Sequence, residues 1–474
     1  MSGDADDIRF DRRMSDAEAL MWKLEKDPWF SSTFGVLMIL ERPPDFEALR
    51  AKLSHAVAVL ARLRERVVAG PSMVGPPAWD PDPELELDHH LRRIALPQPE
   101  SWRALLDLAT LLVADPLDRT RPLWQFWCVD GLPDGRGALL TKLHHSVSDG
   151  EGALQLAEHY MDFDAGAPAP SELDLGPVVA DAVAEARLHG EHRSRGTAGA
   201  LAAGLRRSGG LARRAAGEIA LAVADPGRLP ERGDELLARV RHLSSELDAG
   251  GGAGSALWRR RSRRRRFETA STSLAALKAA ADRRGAKLND VFLAAVAEGA
   301  SRYHAELEAP VDRFRATFAV STRTRGSGAN AFTPARIELP AASMPAEERL
   351  ALVAAAASRA KEQVEGEGFL AMAAPLANLL PTSALTRVAR QQAAAADFAT
   401  SNVRTSPMPV WVGGARVTEA YALGPVAGTA FNVTMLSYCD RVDLGLHVDP
   451  VAVADPGRLA RCVQEGLGVM TSGG

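Results

Sequence analysis

At 474 residues the chain exceeds what a single hydrophobic core usually serves, so two domains are expected. Hydrophobic residues at 46% and charged residues at 24% exclude a disordered chain, and a net charge of −4 argues against general nucleic-acid binding. The three cysteines, Cys128, Cys439 and Cys462, build no disulfide framework and leave one unpaired, which fits a reducing compartment.

The chain opens on an acidic stretch, residues 1–7, without an apolar core, so no export signal is expected. Residues 34–40 read as a strand and fall far short of the ~20 apolar residues a membrane-spanning helix needs. Phe46, Leu49, Leu53, Val57 and Leu60 recur at helical spacing, and Pro76, Pro77, Pro97 and Pro99 punctuate loops. Residues 124–129 and 137–143 read as strands around a turn at Pro133-Asp134-Gly135, and 152–161 as a helix. Residues 1–176 therefore form an α/β layered domain.

Residues 177–265 are rich in Ala, Gly and Arg and read as a helical connector. On a helical wheel Leu201, Leu205, Ala212, Ile219 and Val223 share one face and Arg206, Arg207, Arg213 and Arg214 the other, which suits either a membrane-interface helix or a solvated connector. After Gly250 to Gly254 come seven arginines among the eight positions 259–266. Such a run seeks anions, with phospholipid headgroups or the phosphates of a soluble ligand as candidates, or stays a solvated linker. From 266 to 474 strands and helices alternate again. Residues 274–284 and 350–364 read as helices, 315–320 as a strand, and Asn289 or Asp290 as the cap of a further helix. Residues 432–438 and 442–448 read as a hairpin whose polar Asp443, Gly445 and His447 imply one buried face.

Chemistry concentrates in Leu143-His144-His145-Ser146-Val147-Ser148-Asp149-Gly150, a loop between strand and helix. An imidazole titrates near neutrality and can accept a proton from an attacking hydroxyl or amine. Zinc would need three or four ligands, and no Cys-x-x-Cys or His-Glu-x-x-His accompanies the pair. A hydrogen-bonded structural pair is the other reading. No Gly-x-Ser-x-Gly elbow surrounds Ser146 or Ser148, so neither reads as a nucleophile.

This loop resembles the His-His-x-x-x-Asp-Gly signature of CoA-dependent acyltransferases of the chloramphenicol acetyltransferase-like fold. Around it, nearly the whole chain resembles the bacterial wax ester synthase/diacylglycerol acyltransferase family. The markers are the opening 14–22, Asp88-His89-His90-Leu91-Arg92, the segment 116–124 ending in Pro122-Leu123-Trp124, Asn289-Asp290-Val291, Thr400-Ser401-Asn402-Val403, and Leu423-Gly424-Pro425-Val426 running to Asn432-Val433-Thr434. The chain departs from the family at Gln125, where an acidic residue is common, at Ser146 and Ser148 inside the loop, and at Ser255-Ala256-Leu257-Trp258, where relatives often carry Ser-x-Leu-Asn.

The resemblance implies two chloramphenicol acetyltransferase-like domains, each a mixed sheet with helices, in 1–176 and 266–474, joined by the connector. It implies that an acyl-CoA thioester and a hydroxyl acceptor meet at the domain junction, with His145 as general base, His144 supporting, Asp149 ordering the loop through an arginine, and Gly150 permitting the turn. Asn289, Asp290, Asn402, Asn432, Pro122, Leu123 and Trp124 are the substrate-binding set it implies, with no metal and no cofactor beyond acyl-CoA as substrate. The expected reaction makes triacylglycerol from diacylglycerol, and wax esters from long-chain alcohols. The alternatives are a polyketide or glycolipid acceptor, or a silent lipid- or CoA-binding paralogue. The expected location is cytoplasmic and peripheral, at the inner membrane face or a lipid-droplet surface.

Overall fold

The apolar run at 34–40 becomes a strand buried along nearly its whole length in a six-stranded sheet. The computed structural model describes residues 12–69, 76–148, 150–188, 254–321, 332–367 and 382–472. In chain order the first part contains α1 (Asp16–Leu24), β1 (Thr33–Leu40), α2 (Phe46–Val59), β2 (Glu65–Val68), β3 (Ala78–Pro81), α3 (Leu87–His90), β4 (Leu91–Ala95), α4 (Trp102–Ala114), β5 (Trp124–Asp130), β6 (Gly137–His144) and α5 (Gly150–Ala157). Local chemistry sets the helix starts. Ser15 and Glu18 form a reciprocal capping box on α1, Asp45 accepts the Ala48 N–H on α2, and Ser101 accepts the Ala104 N–H on α4. The helix marked by the periodic pattern from Phe46 to Leu60 ends at Val59, because Leu60 adopts an extended backbone.

The later part contains β7 (Arg266–Ser273), α6 (Leu274–Arg283), α7 (Leu288–Glu306), β8 (Arg313–Ser321), β9 (Phe332–Pro340), α8 (Ala346–Glu367), α9 (Thr382–Ala394), β10 (Phe398–Arg404), β11 (Trp411–Val412), β12 (Ala415–Leu423), β13 (Phe431–Tyr438), β14 (Arg441–Val448) and α10 (Pro456–Thr471). Both large sheets are mixed, as expected. The first runs β11-β12-β1-β6-β5-β4, parallel only between β4 and β5. The second runs β7-β14-β13-β10-β8-β9, with β10 parallel to both neighbours. Residues 175–188 are helical, and the basic amphipathic pattern at 201–223 lies outside the described residues.

Three expectations are corrected. Strands β11 and β12 belong to the first sheet although they fall within 266–474, since β12 pairs with β1 from Gly35 opposite Leu423 to Leu40 opposite Val417. The hairpin strand β14 is buried on both faces, because β12 covers its polar side. There Asp443 accepts the Ala420 N–H at 3.2 Å, His447 donates from Nδ1 to Gly424 O at 2.8 Å, and a β-carbon at Gly445 would collide with Ala422 O. Burial pushes the His447 imidazole down to about 4.

The third correction concerns 254–265, which is packed structure and not linker. Trp258 is 0% exposed within the second core, Ser255 N–H donates to Asp397 at 2.9 Å, and Ser262 binds Asp449 through its N–H and hydroxyl. The arginine run divides accordingly. Arg261 reaches Ala396 O at 3.1 Å and burial lowers its pKa to about 10, Arg265 is likewise lowered by burial, and Arg266 joins β7. Arg259, Arg260, Arg263 and Arg264 are exposed.

Candidate active site

Strand β6 delivers the histidine pair. Its eight residues are all buried and its last is His144, opposite Thr33 of β1, so His145 is the first residue of the following turn. The two rings have different surroundings. His144 is 0% exposed, and its Nδ1 accepts the Ser146 N–H at 3.0 Å with the Ser146 hydroxyl at 2.6 Å. That acceptance places the ring proton on Nε2, which donates to Glu25 Oε2 at 2.8 Å. Both nitrogens of His144 are thus committed inside the protein. His145 is half-buried, its N–H donates to Ser32 O at 2.8 Å, and its ring lies 4.6 Å from that of Phe34.

Glu25 organises this corner, and the sequence reading missed it. Besides His144 it accepts the Ser32 N–H at 3.1 Å, and Arg119 stands 3.9 Å away with its guanidinium over the Trp22 ring. Burial alone would raise the Glu25 pKa, but the His144 hydrogen bond, the Ser32 N–H and Arg119 outweigh it and hold the carboxyl below its ordinary value. An acidic residue at the end of a helix that caps itself carries no local signal of a partner 119 residues away.

Glu25→Gln should cost about 1–3 kcal/mol of stability at neutral pH, the penalty of degrading a buried hydrogen bond. A carboxyl lowered on folding stabilises fully above its ordinary 4.5, and this contribution is lost as pH falls through the lowered value. Urea unfolding at neutral and acid pH checks both parts. The gap between the native chain and Glu25→Gln should narrow in acid, and a gap independent of pH would refute the account in which the ionised Glu25 carboxylate stabilises the fold.

The remaining expected site residues divide. Asn289 and Asn402 are brought together, with Asn402 Nδ2 3.4 Å from Asn289 Oδ1. Neither Asn289 nor Asp290 is the cap, since α7 begins at Leu288. Asp290 instead accepts the Lys287 N–H at 3.0 Å from inside the first turn. Asn402 pairs in register with Met435, so Asn432, three residues earlier on β13, faces the opposite side of the sheet. There its Oδ1 accepts the Thr434 hydroxyl at 2.7 Å, and both side chains press on Gly424, where a β-carbon would lie 2.7 Å from each.

Leu123 and Trp124 are core residues. Leu123 O accepts the His144 N–H at 3.1 Å, and Trp124 donates its indole N–H to Leu63 O at 2.8 Å while stacking on His90. The Pro122-Leu123-Trp124 segment therefore seats the histidine strand, and buried Trp124 spends its only side-chain donor on Leu63. Gly150 opens α5, which packs against β10, the strand of Asn402. Asp149 lies outside the described residues. Among the described residues, no three His, Cys, Asp or Glu side chains gather where they could hold a metal ion.

A half-buried imidazole at a strand end, beside a neighbour hydrogen-bonded to a carboxylate, has the chemistry to accept and return a proton. A family model for the wax ester synthase/diacylglycerol acyltransferase catalytic domain matches residues 14–292, and one for the C-terminal domain of that family matches 328–471. A probable diacylglycerol O-acyltransferase of Mycobacterium tuberculosis, tgs1, is 30% identical over 455 residues, covering 93% of this chain and 91% of that protein. A putative diacylglycerol O-acyltransferase of the same organism is 27% identical over 471 residues, with 98% and 93% covered. The solved wax ester synthase/diacylglycerol acyltransferase from Marinobacter aquaeolei VT8 shares the fold, with a TM-score of 0.65 at 22% identity over 97% of this chain and 98% of that one. With its catalytic and C-terminal models matched in order and tgs1 aligned along nearly all of its length, the chain belongs to the wax ester synthase/diacylglycerol acyltransferase family.

Proposed function

We propose that this acyltransferase moves a fatty acyl group from acyl-CoA to the hydroxyl of diacylglycerol, forming triacylglycerol, and that long-chain alcohols are a second acceptor class, giving wax esters. The observation that carries the reading is the placement of the histidine pair: His145 is half-buried at the end of β6 with its backbone held by Ser32, beside a fully buried His144 bound to Glu25 and Ser146. His145 takes the acceptor hydroxyl's proton as the oxygen attacks the thioester carbon. The tetrahedral adduct then collapses, the carbon–sulfur bond breaks, and the proton passes to the departing CoA sulfur. No acyl-enzyme and no cofactor enter this scheme. The family and the names of the mycobacterial relatives support the diacylglycerol acceptor.

Such an acceptor is held in a lipid phase, so the enzyme would work from a membrane or lipid-droplet surface without spanning it. No helix among the described residues is long and apolar enough to cross a membrane. The deciding assay incubates the purified chain with labelled palmitoyl-CoA and diacylglycerol, hexadecanol or no acceptor. Labelled triacylglycerol is expected to accumulate above the no-acceptor control, with wax ester at a measurable rate. Binding of palmitoyl-CoA without transfer to either acceptor would instead identify a silent paralogue.

A further inference from the structure

The turn that carries Glu25 is gripped from the far half of the chain. Arg390, on α9, donates Nε–H to Asp27 Oδ2 at 2.7 Å and Nη2–H to Asp27 Oδ1 at 2.8 Å, a forked pair spanning 363 residues. Its guanidinium also lies 5.7 Å from the centre of the Trp29 ring, and α1 packs against α9. Asp27 itself sits in a tight turn: its N–H donates to Leu24 O at 2.9 Å, its carbonyl accepts the Phe30 N–H at 2.9 Å, and its Oδ1 accepts the Trp29 N–H at 3.2 Å.

Two residues before Asp27, Glu25 holds His144 Nε2 and the Ser32 N–H, and Ser32 O in turn holds the His145 N–H. A shift of Asp27 is therefore passed, through one short turn, to the backbone bond that seats His145. The pair is poorly placed to be a stability device, because the Arg390 side chain is 54% exposed and exposed ion pairs contribute little to folding. Its geometry is nonetheless specific, with both fork donors used on one buried carboxylate.

We propose that Arg390 and Asp27 are a positioning pair for acyl transfer, through which the second half of the chain sets the place of the His145 loop. The proposal rests on the acyltransferase reading above. It assigns a kinetic role to a residue of α9 that shares no strand or helix with the histidines. The lever is placement, since a misplacement of about 1 Å far from the reacting atoms can cost as much as about 10²-fold in rate.

The test uses the full chain carrying Arg390→Gln, Arg390→Lys, Asp27→Asn, or Arg390→Gln with Asp27→Asn, assayed with palmitoyl-CoA and diacylglycerol. In Arg390→Gln and Asp27→Asn kcat should fall by about 10- to 100-fold, with KM for either substrate changed less than about twofold. The double variant should be no worse than the singles, and Arg390→Lys should recover part of the loss. Melting midpoints should stay within about 2 °C of the native chain.

Amide hydrogen exchange at Ser32 and His145 gives a readout that needs no turnover and should accelerate in both single variants. Native kcat, additive losses, or unchanged exchange at those two amides would overturn the positioning role. Should the native chain transfer no acyl group while exchange at Ser32 and His145 still responds to Arg390→Gln, the acyltransferase reading falls and the linkage from α9 to the histidine loop stands.

Discussion

His145→Ala should lower acyl transfer by about 10²–10⁴-fold, the range a positioned general base supplies, while the protein stays folded. The half-buried ring leaves the backbone N–H of residue 145 bonded to Ser32 O, so its removal takes away the proton acceptor and one contact with Phe34 without unpicking β6 from β1. His144→Ala makes the informative contrast. It strips the Glu25 carboxylate of its main donor and opens a hole at a 0% exposed position, so melting should fall before chemistry is affected directly. Initial rates paired with thermal melts separate the two. A folded His145→Ala protein with near-native turnover would move the proton transfer to another group.

Trp258→Ala should destabilise the chain by about 3–5 kcal/mol, the cost of emptying a fully buried indole site. Trp258 is 0% exposed and touches the rings of Tyr303, His304, Phe314, Phe398 and Phe431, so it joins α7, β8, β10 and β13 in one aromatic cluster. Its burial anchors 254–265 against the second core. Trp258→Phe should retain most of the stability, because the ring contacts survive and the indole Nε1, which has no hydrogen-bond partner among the described residues, is lost at little cost. Urea unfolding measures both. A loss below about 1 kcal/mol in Trp258→Ala would show that the cluster repacks around the gap.

Much of this molecule is legible along the chain because the relevant physics is local. The all-apolar run of β1, the helical spacing of α2 and the alternation around Asp440-Arg441 mark elements that form where their own residues dictate, and the adjacency of His144 and His145 is itself a sequence fact. The motif order was enough to identify the family and the reaction class. Chain order could not reveal partners set by folding. Strand β12 completes a sheet begun nearly four hundred residues earlier, and its cover turns the polar face of β14 into a buried seam.

The same limit governs the site. Spacing placed Asn289, Asn402 and Asn432 in one list, but strand register puts Asn432 on the opposite side of the sheet from Asn402. The Pro122-Leu123-Trp124 motif is equally visible in the sequence, yet only burial shows that its leucine and tryptophan are core. Glu25 and Asp27 look like ordinary acidic residues at a helix end until folding brings His144 to one and Arg390 to the other. The sequence by itself determined where adjacent titratable side chains lie and which segments become strands and helices, because those depend on residue identity and local periodicity. Tertiary structure alone decided that His144 is buried and which carboxylate holds it, because hydrogen bonding and burial depend on distances between residues far apart in the chain.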